Sequence, residues 1–514
     1  MDILFAGDLS FDWLPKPSPP ALIKGLFRRA VTLHRLSTAE LRAPLLTHAQ
    51  ILAQAEQVSR GLRLATANID HFCVNLECAL SDRGRSLDKK RYTMRALPQY
   101  VLALREIGIT LACLANNHVL DYGPEGLADT TRFLDLAHIQ YCGLRLKEGS
   151  AQIPAILTAG LERVAVLNFV EREIIDPSPD LYFAHEPCPF PLDPPLALEA
   201  VQRTARSMPV VVVLHWGPEW SYLETRAQRE LAHALIDAGA SAIIGHHTHV
   251  AGVVEEYKGR PIAYSLGNLL LHLPPFSTGR AAPRYMIRLR FERGAYHGYE
   301  VVTIEPDEAG RPTCPATYEP ASLFGDYLLP AVPKSSLRRF DSISEIKDAT
   351  VTIDRPGVSP ETYWTDNYLR DGSIIEGKLP IGPGWRSDQA HWSGIACHRD
   401  FLAPEFLSTN LAHTFDDVTL NCRFTVEAPI SRLFLIVGQP TLLHNRPKFV
   451  CPRLSVRLQD RQLFEFRREH VTTRWAMHEL PLEPADARPW DLLVSVEGSK
   501  DLFGYLNWRL IGLQ

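Results

Sequence analysis

The sequence predicts a layered α/β domain followed by a β-rich domain of antiparallel strands. Over residues 1–305, short apolar segments alternate with helical patterns, whereas strand patterns dominate from about residue 415 onward. The length of 514 residues also exceeds what one hydrophobic core normally serves, which favours two or three domains. We therefore predict domains at 1–305 and 391–514, with an irregular linking region at 306–390.

The candidate strands of the first domain are rich in Val, Ile and Leu without strict alternation, as is typical of strands buried on both faces. They are Ile3–Ala6, Phe72–Leu76, Thr110–Leu114, Val164–Phe169, Val210–Leu214, Ala242–Ile244 and Ile262–Tyr264. Helical patterns lie between them at Pro98–Ile107, Glu125–Ala137, Ala197–Ser207 and Arg226–Ala238. Gly239 follows the last helix as a C-terminal cap signal.

An unusually long insert, at about residues 13–68, separates the first two predicted strands. It begins with a proline-rich stretch and continues with the spacing of an amphipathic helix. We expect it to pack on the core, with a lid or a partner surface as the alternative. In the C-terminal region, apolar residues alternate with polar ones in several short runs, which predicts an antiparallel β-sandwich.

Composition excludes several classes of protein. The 54 basic and 59 acidic residues give a net charge of −5, which does not favour nucleic acid or an anionic membrane as a partner. Nine cysteines without a CxxC pair argue against a disulfide framework or a zinc ribbon and are typical of a reducing compartment. No signal peptide pattern and no run of ~18 apolar residues is present. We therefore predict a cytoplasmic protein without a membrane span.

Side chains of the types that commonly bind metal ions follow five of the predicted strands. The segments are Gly7-Asp8, Asn75-Leu76-Glu77, Asn116-Asn117-His118, His215-Trp216-Gly217 and Gly245-His246-His247-Thr248-His249. Because ligands of open α/β sheets bind beyond the carboxyl ends of the strands, we expect these side chains to meet at one edge. Carboxylate and imidazole ligands without thiolate favour Mn, Fe or Zn.

Each of these motifs has a structural alternative when it is taken alone. Gly-Asp is typical of a turn, and His215 alone suits a buried core histidine. His247 and His249 are more specific, because their spacing in a loop after a strand allows two imidazoles to converge. Together the motifs favour a site for two cations about 3.5–4 Å apart, which activate water and hold the oxygens of an in-line displacement.

The order of these motifs resembles the PGA_cap family of CapA-type poly-γ-glutamate capsule-synthesis proteins. This family is a branch of the calcineurin-like metallophosphoesterase superfamily. The resemblance also includes Asp121 and Gly123 after the Asn-Asn-His segment, and Tyr264-Ser265-Leu266-Gly267-Asn268. It covers about residues 1–300 and implies a layered, metallophosphoesterase-like α/β fold for that part only.

The resemblance implies a set of ligands for two divalent ions. Asp8, Glu77 and His249 hold the first ion, while Glu77 bridges to a second that also binds Asn117, His215 and His247. It further implies that His118 is the general acid and that Asp121 orients its imidazole. Ser10 stands where many superfamily members have His, and Glu77 where Asp is usual, so a site with one metal is the alternative.

Several other residues are candidate substrate contacts. Lys90, Arg91 and Arg95 lie in a loop between the second and third strands, where a basic cluster suits phosphate or the carboxylates of a glutamyl chain. Solvated surface charge is the alternative. His246 and Asn268 also follow strands, and the alternative for His246 is a supporting or purely structural role.

The resemblance implies a metal-dependent hydrolase that cleaves a phosphoester or a γ-glutamyl amide bond. Its substrate would be phosphorylated or polyglutamate-like, in the setting of capsule or polyglutamate synthesis. The alternative is a non-catalytic protein that uses metal for stability and binds the polymer or assembles partners. The residues do not choose between the two kinds of bond.

Overall fold

The computed structural model of the chain describes residues 1–11, 48–87, 90, 93–175, 182–217, 224, 226–270, 284–307, 311–314, 346–354, 396–397, 408–413, 419–426, 432–438, 453–466, 476–482, 490–497 and 506–513. The predictions for Arg91 and for the proline-rich first part of the insert lie outside these residues.

The N-terminal part of the chain alternates strands and helices. Its strands are β1 (Asp2–Leu9), β2 (His71–Leu76), β3 (Ala79–Leu80), β4 (Arg95–Ala96), β5 (Leu111–Cys113), β6 (Gln140–Cys142), β7 (Leu144–Arg145), β8 (Ala155–Ala159), β9 (Glu162–Val170), β10 (Cys188–Pro189), β11 (Val210–His215), β12 (Ala240–His246), β13 (Val254–Tyr257), β14 (Arg260–Ala263), β15 (Asn268–Leu270), β16 (Arg284–Glu292), β17 (Ala295–Pro306) and β18 (Pro312–Thr313). Its α-helices are α1 (His48–Thr66), α2 (Val101–Ile107), α3 (Gly123–Leu136), α4 (Pro194–Ala205) and α5 (Arg226–Asp237), and short 3-10 turns lie at Pro98–Tyr100 and Arg172–Ile174.

Two mixed sheets carry most of these strands, while β3 pairs with β4 and β7 pairs with β10 in two short separate sheets. The first has the order β18-β17-β16-β1-β2-β5-β6, with β15 beside β1, and β1, β2, β5, β6 and β15 run parallel. The second has the order β13-β14-β12-β11-β9-β8, and its four inner strands run parallel. Antiparallel strands form the edges of the second sheet, and β16 to β18 complete one side of the first.

The sheets pack face to face between two layers of helices. Inward-facing residues of both sheets, such as Ile3, Phe5, Val211 and Val213, form one apolar cluster. The outer face of the first sheet packs with residues of α1, α2 and α3, and the outer face of the second packs with α4 and α5. Parallel strands covered on both faces explain why their sequences lack alternation.

Local signals place the ends of the helices. The Asp193 carboxylate accepts a hydrogen bond from Leu196 N (3.0 Å), which caps the start of α4, and a proline occupies its first turn. Gly108, with φ of 91°, ends α2. Gly239, with φ of 113°, follows α5, as the sequence predicted.

The predicted α/β class of the N-terminal part is confirmed. All seven predicted strands and all four predicted helices are present, with bounds that differ by a few residues. The second half of the predicted insert contains α1, whose buried residues Ile51, Ala55, Val58 and Leu62 pack on the first sheet. This part of the insert therefore belongs to the core, as the sequence analysis expected.

The described C-terminal strands form two five-stranded antiparallel sheets. Their orders are β19-β22-β27-β24-β25 and β20-β21-β28-β23-β26. The strands are β19 (Ile346–Asp354), β20 (Ala396–Cys397), β21 (Ser408–His413), β22 (Thr419–Val426), β23 (Arg432–Gly438), β24 (Arg453–Leu458), β25 (Arg461–Phe466), β26 (Ala476–Leu480), β27 (Trp490–Glu497) and β28 (Leu506–Leu513).

One prediction for the region 306–390 was wrong. We expected irregular structure there, but β19 is a nine-residue strand that pairs along its length with β22. Its apolar residues Ala349, Val351 and Ile353 alternate with polar ones, a period-two pattern too short to distinguish from its Pro-, Gly- and Asp-rich surroundings. The remaining predicted domain boundaries stay predictions.

None of the helices in the described part of the chain combines the length and the hydropathy that crossing a bilayer requires.

The buried Asn168 side chain joins the two N-terminal sheets. Its Oδ1 accepts from Ala115 N (2.8 Å), just after β5, and its Nδ2 donates to Val213 O (3.3 Å) in β11.

Asn168→Leu leaves the buried Ala115 N–H without this acceptor, so we expect the free energy of unfolding to fall by about 1–3 kcal/mol. Urea denaturation measures this change. Leu161→Ala, at a fully exposed position, is the control, and an equal loss in both variants would contradict the bridging role.

Candidate metal centre

Asp8 lies where β1 meets the chain that leads into β15. A Cβ atom on Gly7 would lie 1.8 Å from Gly267 O, so only glycine permits this close approach of the two backbones. Asp8 N donates to Gly267 O (3.0 Å), and the pairing of β1 with β2 shifts register between Ala6 and Asp8. The backbone therefore requires glycine at position 7, and it places the Asp8 side chain at the site.

Polar groups of three residues from two segments surround the Asp8 carboxylate, which is fully buried. Asn75 Nδ2 donates to Oδ1 (2.8 Å), His246 Nδ1 lies 3.0 Å from the same oxygen, and His247 N donates to Oδ2 (3.3 Å). Burial alone would raise the pKa of Asp8, but the hydrogen bond and charge of His246, with contributions from His249 and Asn75, lower it overall. Asp8 is thus held as a carboxylate.

The Asn-Asn-His segment folds into a turn that its own first side chain stabilises. Asn116 Oδ1 accepts from the backbone N–H groups of His118 (3.0 Å) and Val119 (2.9 Å), and Asn116 Nδ2 donates to Asn75 Oδ1 (3.1 Å). Tyr182 Oη donates to Asn116 O and accepts from Leu120 N, both at 3.1 Å. The turn is fixed from two sides.

His118 contacts Asp121, the residue that the resemblance implied as its orienting partner, and that role stays a prediction. His118 Nδ1 lies 2.6 Å from Asp121 Oδ2, and Nε2 lies 3.9 Å from Glu77 Oε1. Because a carboxylate only accepts hydrogen bonds, Nδ1 carries the proton in this pair and Nε2 faces Glu77. Burial lowers the pKa of His118, and the nearby charge of Lys90 lowers it further, against the opposing effect of Asp121.

Glu77 is shared by two groups of potential metal ligands. One group is Glu77, His215 and His247, and the other is Asp8, Glu77 and His249; in each, one ligand atom per residue lies within 4.8 Å of the others. All five residues are buried. A carboxylate common to two such groups suits a ligand that bridges two cations.

The other predicted ligands lie beside these groups. His215 Nε2 is 3.0 Å from Asn117 Oδ1 and 3.5 Å from Glu77 Oε1. The imidazole centroids of His215 and His247 are 4.8 Å apart, and those of His247 and His249 are 6.1 Å apart. The structure thus brings together all six side chains that the sequence analysis assigned to metal; their role as ligands stays a prediction.

His247 carries the strongest sign that this space suits a cation. It is 1% exposed, yet neither ring nitrogen has a hydrogen-bond partner. Unpaired polar atoms are costly at such a position, and a divalent ion is a partner that nitrogen and oxygen donors of this kind accept. Burial lowers the pKa of His247 and of His215 well below the usual range, and neighbouring imidazoles lower it further. Both rings are therefore neutral, as metal ligands must be.

The backbone of the His-Thr-His segment is itself unusual. His247 and His249 have φ angles of 91° and 61°, in the left-handed region that side chains other than glycine rarely adopt. Both imidazoles lie beside Glu77, and that of His249 also lies beside Asp8. Strain of this kind is typical of functional sites.

The candidate substrate contacts have different surroundings. The Lys90 side chain is only 3% exposed and pairs with Asp121, so solvated surface charge is the wrong interpretation for this residue. The Arg95 guanidinium lies 4.2 Å from the centroid of the Tyr122 ring. Asn268 Oδ1 lies 3.0 Å from His249 Nδ1, within the site, and His246 contacts Asp8 as a supporting residue.

Sequence reasoning missed two supporting residues. The amide of Asn75 bridges Asp8 and His215, with its Nδ2 3.3 Å from His215 Nδ1, although the sequence analysis treated it only as a neighbour of Glu77. Its position two residues before a ligand on a buried strand was the available signal. Tyr182 gave no local signal, because only the fold brings it to the Asn116 turn.

Removing His247 should abolish most of the stabilisation by metal. A ligand at 100 times its Kd stabilises a protein by about 2.7 kcal/mol, so Mn²⁺ or Zn²⁺ should raise the Tm of the chelator-treated wild type. In His247→Ala we expect this rise to be largely lost. His138→Ala is a matched control, since His138 also has positive φ (56°) and is exposed. An unchanged rise in His247→Ala would contradict the assignment.

The lowered pKa values of His215 and His247 predict how stability depends on pH. Both rings take up protons near 6.5 in the unfolded chain but only at lower pH in the folded one. As pH falls below 6.5 the unfolded state therefore binds more protons, and the free energy of unfolding should fall by up to about 1.4 kcal/mol per pH unit for each ring. Above that pH the dependence should be flat.

Urea denaturation of the metal-free protein between about pH 7.5 and 5.5 measures this slope. In the double variant His215→Asn/His247→Asn the slope should become shallower. A slope identical to that of the wild type would assign the pH dependence to other groups.

Comparison with known proteins agrees with this site. A family model described as "Bacterial capsule synthesis protein PGA_cap" matches residues 2–272, more than half of the 514-residue chain. A "Probable polyglutamine synthesis accessory protein" of Mycobacterium tuberculosis is 29% identical over 272 residues, 50% of this chain and 69% of the relative. The "PGA biosynthesis protein CapA" of Bacillus subtilis is 30% identical over 227 residues, 43% of this chain and 57% of the relative.

Among solved structures, a hypothetical protein from Thermus thermophilus is 19% identical with a TM-score of 0.34, covering 59% of this chain and 99% of that one. The family match includes all six segments from which the resemblance was inferred, together with the two groups of potential ligands that share Glu77. The chain therefore belongs to the PGA_cap family of bacterial capsule synthesis proteins, within the calcineurin-like superfamily.

Proposed function

We propose that the N-terminal part of the chain is a metal-dependent hydrolase. The observation that carries this proposal is the sharing of Glu77 by two buried groups of potential ligands, Asp8–His249 and His215–His247. Asn117 completes the second group through its contact with His215 Nε2. Two divalent ions of the Mn, Fe or Zn type suit this set of oxygen and nitrogen donors.

When bound, such ions supply a nucleophile at neutral pH and stabilise the charge that develops on the reacting oxygens. The chain itself supplies proton transfer at His118 Nε2. Asp121 holds Nδ1 as a donor, so Nε2 is the atom that takes up or delivers a proton on the side of Glu77. A lowered pKa makes the protonated ring a stronger acid toward a leaving group.

The exposed fractions of the site residues indicate the side from which a substrate approaches. Asn117, His118 and His249 are 5–6% exposed, whereas Asp8 and Glu77 are fully buried. Among the described residues of the site, solvent thus reaches the set on the side that carries His118. A substrate approaching there meets the proton-transfer group and the outermost ligands together.

The family places the protein among those of capsule and polyglutamate biosynthesis. We propose a phosphorylated or polyglutamate-like substrate, with a phosphoester or a γ-glutamyl amide as the bond cleaved. The names of the relatives support the polymer setting, and the same arrangement of ligands serves either bond.

A non-catalytic role is the second candidate, and Ser10 favours it. Ser10 is 1% exposed, and its hydroxyl oxygen has no hydrogen-bond partner. It occupies the position at which the sequence analysis noted a histidine in many superfamily members. One ligand fewer for the first ion suits a site in which metal stabilises the fold while the protein binds polymer or partners.

Hydrolysis assays with two kinds of leaving group test the leading proposal. We expect His118→Gln to lower kcat by about 10²–10⁴-fold on an alkyl phosphate or a γ-glutamyl peptide, because their leaving groups need a proton. On p-nitrophenyl phosphate the loss should be smaller, since nitrophenolate leaves without one. Bound metal, measured by elemental analysis, should not change.

His138→Gln, an exposed histidine outside the site, is the control and should match the wild type. If metal-loaded wild type is no faster than His118→Gln on any of these substrates, the catalytic proposal fails. Metal-dependent binding of polyglutamate without hydrolysis would then support the second candidate.

We also infer that the two C-terminal sheets pack as a sandwich. In the first, Leu454, Val456 and Leu458 are buried at alternate positions, and in the second Leu433 and Leu435 follow the same pattern. Each sheet thus has one covered face, as the facing layers of a sandwich require. Trp490 is also buried, as packing within such a core requires.

A further inference from the structure

Lys90 makes contacts that neither substrate binding nor surface charge explains. Its ammonium donates to Asp121 Oδ1 (2.5 Å) and to the backbone carbonyl of Asn117. The ammonium also lies 5.9 Å from the centroid of the Tyr182 ring. With its side chain 3% exposed, Lys90 is directed into the protein, beneath the Asn117–Asp121 turn.

The two oxygens of Asp121 have separate partners. Oδ1 accepts from Lys90, while Oδ2 accepts from His118 Nδ1 (2.6 Å) and from Met94 N (2.6 Å). Lys90 Nζ also lies 3.5 Å from His118 Nδ1, but both atoms are donors here, so the hydrogen bonds between the two side chains run through Asp121, while the charge of Lys90 also lowers the pKa of His118 directly.

The segment that contains Lys90 is attached to the same aspartate on both sides. Leu87 N donates to Asp121 O (2.9 Å), and Met94 N donates to its carboxylate. Asp121 is fully buried, so the donors on its carboxylate, which are Lys90, His118 and Met94, compensate a charge that water does not reach, while Leu87 holds its backbone. Lys90 is the only described cation in direct contact with it.

We propose that Lys90 is a positioning residue for His118. Its ammonium joins the carbonyl at the start of the turn to the carboxylate four residues later, and so fixes the Asp121 side chain in the orientation that directs His118 Nε2 toward Glu77. The inference rests on the proposed role of His118 in proton transfer. It replaces the sequence-based assignment of Lys90 as a substrate contact.

Kinetics of the full chain separate positioning from substrate contact. Because supporting residues of this kind typically change activity 10–100-fold, we expect Lys90→Met to lower kcat by about that factor with KM within about twofold. Arg85→Met removes an exposed cation from the same loop and should match the wild type. A raised KM with unchanged kcat would mean that Lys90 binds substrate, and would overturn the proposal.

The double variant Lys90→Met/Asp121→Asn tests whether Lys90 acts through Asp121, and it leaves no unpaired charge buried at this position. If Lys90 acts through Asp121, Lys90→Met should lower kcat less than about twofold when Asp121→Asn is already present. Independent, multiplicative losses would overturn the proposal, as they would show that the two residues act separately.

A spectroscopic measurement decides the point without any activity. In metal-free protein labelled with ¹⁵N-histidine, the Nδ1 proton of His118 is assigned by its loss in His118→Ala. We expect this resonance to shift in Lys90→Met and to stay unchanged in Arg85→Met. An unmoved resonance in Lys90→Met overturns the positioning role, whereas absence of hydrolysis by the wild type overturns only the proposed function.

Discussion

The candidate centre depends on the relative position of the strand ends of two sheets, and buried side-chain amides fix that position. Asn75, on the first sheet, lies between Asp8 and His215 and so links ligands of both sheets. Below it, Asn168 of the second sheet binds the backbone that leads from β5 into the Asn116 turn. Apolar packing between sheets is not directional, whereas an amide with fixed donor and acceptor sides sets one register. The geometry of the ligands therefore follows from hydrogen bonds that contact no metal.

The sequence predicted much of the N-terminal fold because its signals are local. Runs of Val and Ile, proline in a first helical turn and glycine at a helix end each act within a few residues. That the potential ligands lie close together could be predicted because parallel strands bring their carboxyl ends to one edge. Lys90 and Tyr182 could not be placed in this way, since their partners are set by loop folding over distances of 27 to 66 residues in sequence. The strand at 346–354 was missed because its alternating pattern is too short to distinguish from the Pro-, Gly- and Asp-rich residues around it, although the strand pairs along its length with β22.

Family membership and chemistry are separate conclusions here. The match over residues 2–272 assigns the chain to proteins of capsule synthesis, and the names of its relatives describe their biological setting rather than a reaction. The argument for catalysis comes from the site: a shared carboxylate, neutral imidazoles and a histidine whose tautomer an aspartate fixes. Ser10 and Glu77 are the two positions at which the sequence departs from the superfamily pattern that the resemblance implied. The same fold serves either candidate function, and only the catalytic one requires a substrate to reach His118.

The left-handed backbone at His247 and His249 has a consequence for how this segment varies among descendants of the gene. Glycine or asparagine would adopt each of these φ angles with less strain, whereas metal binding beside the carboxylates would favour imidazole. The backbone conformation and metal binding would therefore favour different residues at the same two positions. A lineage that lost the need for a cation would be free to drift toward glycine there. Histidine retained at both positions would then mark continued selection for the centre, whether its role is catalytic or not.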